Sequence, residues 1–441
     1  MVTKSVAEAP KLNIAILGAG IAGLTLAIAL KTHPLFKITI YEKATELKEI
    51  GASIALGPNG LRTLEKLGLS DVISDENGFR GTGTAGMVYR HWKTNEIIGT
   101  DVHSDVKEWL HQTTRFHRGH LHGKLVEHVP SDGIKLGKKV VGVEFEEEGV
   151  IIIFQDGSRV LADIAVGADG LRSGVRQALV PDFKLEWSGW TAFRSVFEAS
   201  LVGSIPDLPK DSAHWWGPET NFFSSRLGRN MYTVVGGVAA DPKDPNARFE
   251  EVSWDETGEV NLLREIYANW NPVVKALTEV TPDIRYYPNF SCSAPLDTWV
   301  FEDRVALIGD AAHAHGGAYA TGGSLAIDDA YALHLSLNSI FTRSDNQKPS
   351  AHEIGQALRL YEATRKPHAE KLLKVVHAGN AAKIEKIRKG TLEKDEELRA
   401  RAQKGSNTGW LHEHDVVKAF EEALTASETI DASEDKVPAR L

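Results

Sequence analysis

The chain has 441 residues, 42% apolar and 25% charged, the balance of a folded globular protein and not of a disordered one. Its 50 Lys and Arg against 60 Asp and Glu give a formal net charge of −10 with no basic block, which argues against nucleic acid as a partner. One cysteine, Cys292, excludes an internal disulfide framework and a cysteine-ligated metal site, and reads as an inert core residue.

At about 150 residues per domain, this length predicts two or three structural units. The first ten residues are too polar for a secretory signal, and the apolar stretch Ile14 to Leu30 holds three glycines and is too short to span a bilayer. Asn13 to Leu17 reads as a buried parallel strand, Ile21 to Lys31 as a helix and Lys37 to Tyr41 as the next strand. Gly18-Ala19-Gly20-Ile21-Ala22-Gly23 joins the first two elements. In such a run the first glycine permits a tight turn, the second admits a pyrophosphate and the third allows close helix–strand packing. Glu42, with Lys43 beside it, ends the second strand about 20 residues on, where an acid binds a ribose. A dinucleotide site is expected here.

Residues 80–100 read as a hairpin leaving this layer, and 138–166 as three β-rich runs. The last run ends in Val166-Gly167-Ala168-Asp169-Gly170-Leu171-Arg172-Ser173. Residues 181–290 are richer in Trp and Tyr. From Arg304 a strand, a glycine-rich loop and a helix return, as Arg304-Val305-Ala306-Leu307-Ile308-Gly309-Asp310-Ala311-Ala312-His313. Residues 352–425 are helical in period, and the polar tail from Thr425 is expected to be mobile.

These motifs, with Glu49-Ile50-Gly51-Ala52-Ser53-Ile54 and Phe116-His117-Arg118-Gly119-His120-Leu121, resemble in order the fingerprints of the FAD-dependent aromatic hydroxylases, the single-component flavoprotein monooxygenases. The resemblance covers roughly residues 12–380, with salicylate-hydroxylase-like proteins closest. It implies an α/β fold: an FAD-binding Rossmann-like domain of the aromatic hydroxylase type, an inserted β-sheet substrate domain and C-terminal helices. The divisions expected are 1–180 and 291–380 for the FAD domain, 181–290 for the substrate domain, and 381–441 for a helix and polar tail.

The resemblance also implies roles. Gly18, Gly20, Ala22, Gly23, Glu42, Lys43, Gly51, Ala52 and Arg118 would hold FAD, Glu42 at the ribose and Arg118 at the phosphate or ribityl side. Asp169 and Gly170 would serve FAD and the incoming nicotinamide. Gly309 and Asp310 would bond the ribityl chain or pyrophosphate, and Gly322, Gly323 and Ser324 would face the flavin at a helix start. NAD(P)H is expected as a co-substrate without a module of its own, and dioxygen as the oxidant through a flavin C4a-hydroperoxide. No metal is expected.

On the substrate side, Gly189-Trp190-Thr191-Ala192-Phe193-Arg194 leads into the substrate domain. Arg194 is the first candidate for a carboxylate or phenolate and Arg226 the second, since an arginine fork suits a planar anion. Trp216, Phe223 and Tyr232 are candidates for an aromatic wall. The loop after His313 departs from the family, with Gly317 where a proline is usual and Tyr319 where Gln is usual. Tyr319 and His315 join Arg194 as candidate catalytic residues.

The expected function is hydroxylation of a small phenolic aromatic acid, salicylate- or hydroxybenzoate-like, with or without oxidative decarboxylation. The alternatives are an FAD monooxygenase of fungal-type secondary metabolism that hydroxylates an electron-rich ring without decarboxylation, and a non-enzymatic flavin-binding regulatory module. A monomer or homodimer is expected, cytoplasmic and with no membrane span. The terminal Ala439-Arg440-Leu441 resembles a peroxisomal address, ranked after cytoplasmic residence.

Overall fold

The apolar run at the start of the chain becomes the middle of a sheet, as its lack of a polar face requires. In the computed structural model, residues 11–47, 51–81, 85–102, 106–245, 247, 252–341, 348–405 and 409–434 are described. Leu12–Leu17 pairs in parallel with Phe36–Tyr41 on one side and with Ile164–Gly167 on the other. Ile164–Gly167 pairs in parallel with Val305–Leu307, so strands far apart in sequence lie next to each other in a six-stranded sheet. The helix Ile21–Leu30 is buried along its whole length, between this sheet and the helix Gly322–Phe341. Two small three-stranded sheets are added, one by Val140–Glu146, Gly149–Phe154 and Arg159–Ala162, the other by Ser53–Leu56, Gly78–Phe79 and Thr114–His117.

An eight-stranded sheet holds most of the middle of the chain. Leu185–Glu198 lies between Ile284–Cys292 and Met231–Ala239, followed outward by Asn221–Arg226 and Ala213–Trp216. The hairpin Ala85–His91 and Ile97–Val102 joins its edge, through a parallel pairing of Ala85–His91 with Ala213–Trp216. The hairpin thus belongs to the sheet of the middle segment. Strand alternation sorts the aromatics: Trp215 and Phe222 are fully buried in a second core with Phe193, Tyr267 and Trp270, while Trp216 and Phe223 face the other way.

A capping box of Ser350 and Glu353 starts the long helix Ala351–Lys389, which runs without a break through residue 380. The helix Asp395–Lys404 follows and packs on the hairpin strand Ile97–Val102, with Leu398 and Ala402 buried against Tyr89 and Ile98. The polar run from Thr425 is helical as far as Glu434, as part of Val416–Glu434. Glu49, Ile50 and the terminal Ala439-Arg440-Leu441 lie outside the described residues. Among the described residues no helix is long and apolar enough to cross a membrane.

Candidate active site

Each glycine of the Gly18–Gly23 loop answers to a different constraint. Gly18 has φ +117, and a Cβ there would stand 2.4 Å from the Ala168 carbonyl oxygen. A Cβ on Gly23 would stand 2.0 Å from the Gly18 carbonyl oxygen, so this residue sets the helix-to-strand approach. Gly20 is required by neither: its φ is −75, and a Cβ there meets no protein atom within 4 Å. It borders a cavity of about 520 Å³ instead, into which that Cβ would project. Glu42 orders the same loop, accepting from the Ala19 N–H (2.7 Å) and the Ala44 N–H (2.8 Å). Lys43 borders the cavity beside it, as does Ala22.

The other motifs converge on this cavity from neighbouring strand ends. Asp169 caps the helix Gly174–Leu179 through N–H groups of Gly174 (2.7 Å) and Val175 (3.2 Å), and burial raises its carboxyl above the ordinary value. Gly170 (φ +80) and Asp310 line the cavity with it. Arg118, whose N–H bonds the Ala52 carbonyl at 2.8 Å, closes the opposite wall with Ala52. Gly51 lies beside His117 and is exposed. Gly322 and Gly323 line the cavity at their helix start, whereas the buried Ser324 turns away and accepts from the Gly57 N–H at 2.9 Å.

Gly309 (φ +61) does not border the cavity; its N–H is held at 2.9 Å by Asp329. The fully buried Asp329 also takes His313 Nε2 (2.5 Å) and Arg365 Nε (2.8 Å). Burial acts to raise its carboxyl, but His313 and Arg365 outweigh it and hold the group well below the carboxylate range. From the other side Arg176 donates to the carbonyls of Asp310 (3.0 Å) and Ala311 (2.9 Å). Asp329, Arg365 and Arg176 escaped the motif reading. The adjacent acids Asp328-Asp329, the only Asp, Glu, Lys or Arg in the helix Gly322–Phe341, were the available signal.

A second cavity of about 640 Å³ adjoins the first. Ser53, Ile54, Arg194, Asn289, His315 and Gly317 border both. Ser188, Trp190, Ala192 and Arg194 alternate along one strand and all face the second cavity. Arg194 has no hydrogen-bond or ion-pair partner among the described residues. Its guanidinium lies 5.2 Å from the Tyr287 ring, and burial, with Arg118 nearby, lowers its pKa. Burial also pushes His315 down, so its ring is neutral; Nε2 meets Thr321 Oγ1 at 3.3 Å and Nδ1 is buried without a partner. Tyr319, 42% exposed and at φ +57, stands at the edge of the second cavity.

Trp216 and Phe223 line this cavity, with Arg115 packed 5.6 Å over Phe223 and His214 between the two aromatics. Burial pushes Arg115 down to about 10 and His214 down to about 4. Two expected substrate residues are not brought here. Arg226 is exposed at its strand end, on the face opposite Phe223, and Tyr232 is buried in the second core with its hydroxyl 2.8 Å from Ser224 Oγ. Both fall on the other phase of the strand alternation, which the sequence does not reveal.

Residues 11–376 match the family model described as an FAD binding domain. The chain is 30% identical over 371 residues to a 6-hydroxynicotinate 3-monooxygenase of Pseudomonas fluorescens, covering 83% of this chain and 90% of that protein. The chain belongs to the FAD-dependent aromatic hydroxylases. A second member of the family, the 3-amino-4-hydroxybenzoate 2-monooxygenase of Streptomyces cremeus, is 28% identical over 360 residues, 81% of this chain and 84% of that one. The fold is shared with a salicylate hydroxylase solved as a substrate complex, at a TM-score of 0.76 and 22% identity over 95% of this chain and 98% of that one. The first cavity fits FAD, since Gly20 opens onto it for a reason that neither backbone nor protein packing supplies.

Proposed function

We propose that this flavoprotein monooxygenase hydroxylates a phenolic or hydroxylated heteroaromatic carboxylic acid, using NAD(P)H and dioxygen. One atom of dioxygen enters the ring and the other leaves as water, with NAD(P)H as the two-electron donor. The observation that carries this reading is Arg194, a guanidinium with no hydrogen-bond or ion-pair partner among the described residues, where the two cavities meet. A half-buried cation without a counter-charge is costly, and a substrate carboxylate or phenolate would supply the missing charge. The two relatives named for hydroxynicotinate and aminohydroxybenzoate support an acid of this kind.

The Gly18–Gly23 loop, Glu42, Lys43, Arg118, Asp169 and Asp310 would hold FAD, which supplies the activation of oxygen once it is reduced. Arg194 orients the acid, and Trp216 and Phe223 pack on its ring and exclude water. The neutral His315 can accept or donate one hydrogen bond at Nδ1 without adding a second cation beside Arg194. Hydroxylation at the carboxyl-bearing carbon of a salicylate-like acid would release carbon dioxide as well.

The test is substrate-stimulated NAD(P)H oxidation over a panel of hydroxybenzoates and hydroxynicotinates, with carbon dioxide measured in parallel. Arg194→Ala should keep its FAD and raise KM by about tenfold or more, the loss of a charge-assisted pair of about 1.5–3 kcal/mol. Arg194→Lys should recover part of it. Unchanged kinetics in Arg194→Ala would remove this residue from the site.

A further inference from the structure

The wall of the second cavity away from the nucleotide loops is built by the C-terminal helices. Val376, Asn380 and Lys383, spaced four and three apart on Ala351–Lys389, form one stripe facing the cavity, and Arg401 faces it from Asp395–Lys404. Lys383 and Arg401 lie beyond residues 11–376, the part that matches the family model.

The two cations differ in how they are compensated. Arg401 lies 4.0 Å over the Trp216 ring and is paired with Glu393 by two hydrogen bonds of 2.9 and 2.8 Å. Lys383 has its ammonium 3.9 Å over the Trp190 ring, and no carboxylate or hydrogen-bond acceptor partners it among the described residues. A ring face satisfies one direction of an ammonium that carries three donors. Burial, with Arg401 nearby, pushes Lys383 down to about 8, so it is still mostly charged at pH 7. Among the described residues the one carboxylate that borders the cavity, Asp101, accepts from the Tyr89 hydroxyl.

Position separates Lys383 from Arg194. Trp190 and Arg194 share a strand face four residues apart, a Cα separation of roughly 13 Å. Arg194 borders both cavities, whereas Trp190 and Lys383 border only the second. One small carboxylate held at Arg194 leaves Lys383 without a counter-charge.

We infer that Lys383 is a specificity-determining residue that binds a second anionic group of the substrate, so that the preferred substrate is an aromatic acid carrying a further carboxylate on the side away from the FAD cavity. This rests on the function proposed above, because it assumes that the second cavity holds the substrate.

The test titrates the FAD-loaded enzyme with two ligands, a hydroxybenzoate and the same ring bearing an additional carboxylated arm. Binding is read from the perturbation of the flavin absorbance. The wild type should bind the diacid about tenfold or more tighter than the monoacid. Lys383→Met, which keeps the stem over Trp190, should lower that ratio about tenfold, and Lys383→Arg should restore most of it. FAD content and thermal midpoint report on folding in each variant. A wild type that binds both acids equally, or a Lys383→Met ratio equal to that of the wild type, overturns the second anion site and leaves the proposed function standing. If neither acid perturbs the flavin or stimulates NAD(P)H oxidation, the proposed function falls, and this inference with it.

Discussion

Three glycines in one loop make a clean experiment, because their constraints differ. A valine at Gly20 meets no protein atom at its Cβ and needs no unusual φ, so the chain should fold with a near-normal melting midpoint and lose FAD. A valine at Gly23 drives its Cβ to 2.0 Å from the Gly18 carbonyl oxygen, so that variant should fail to fold stably. Bound flavin per chain and thermal melts check both; a Gly20→Val protein with full FAD content contradicts the assignment. Such residues were legible in the sequence because their chemistry is local: a turn, a packing contact and a phosphate approach within six positions. Arg194 entered as a candidate through its place at the end of Gly189-Trp190-Thr191-Ala192-Phe193-Arg194, a segment that resembles the family's, and not through any reading of its face. Arg226 and Tyr232 were not separable from it, because a one-residue change of phase reverses the face and nothing local reports that phase.

At the level of elements, the nucleotide loops are held from behind by charges the motif reading passed over. Asp329 ties the Gly309 turn, His313 and the long helix, through Arg365, into one buried group. Asp329→Asn leaves the Arg365 charge uncompensated in the core and should destabilise the protein by about 3–5 kcal/mol, with partial loss of FAD. The folded carboxyl of Asp329 lies below its unfolded value, so its contribution is complete above about pH 5 and is lost as pH falls below that. Denaturant titrations of the FAD-loaded protein from neutral to acidic pH should show a flatter acid limb in Asp329→Asn than in the wild type. Equal pH slopes would assign the acid sensitivity to other groups.

Across the whole molecule, the second cavity is assembled from segments that are distant in sequence: Arg115, Arg194, the strands near 216–223 and the C-terminal helices. The βαβ unit and the return of the strand at Val305–Leu307 were readable from periodicity. The cavity wall from Lys383 and Arg401 was not, because those cations sit among many solvated Lys and Glu on helices of the same composition. The docking of Asp395–Lys404 is itself tight, since a Cβ on Gly99 would stand 2.4 Å from the Ala402 carbonyl oxygen. Gly99→Val should lift this helix at a cost of about 1–3 kcal/mol. FAD should stay bound, while substrate KM rises and more NAD(P)H is consumed per product formed; unchanged KM and coupling would mean that the helix does not bound the working site.

In the proposed reaction, one oxygen atom of dioxygen is transferred to an aromatic acid at this site. The most direct measurement is turnover under isotopically labelled dioxygen, with NAD(P)H and the best acid of the panel, and product analysed by mass spectrometry. The expected result is one labelled oxygen atom per product molecule, close to one product per NAD(P)H oxidised, and a sharp fall in labelled product at limiting substrate in Arg194→Ala. Unlabelled product, or NAD(P)H oxidation that no aromatic acid stimulates, would contradict it.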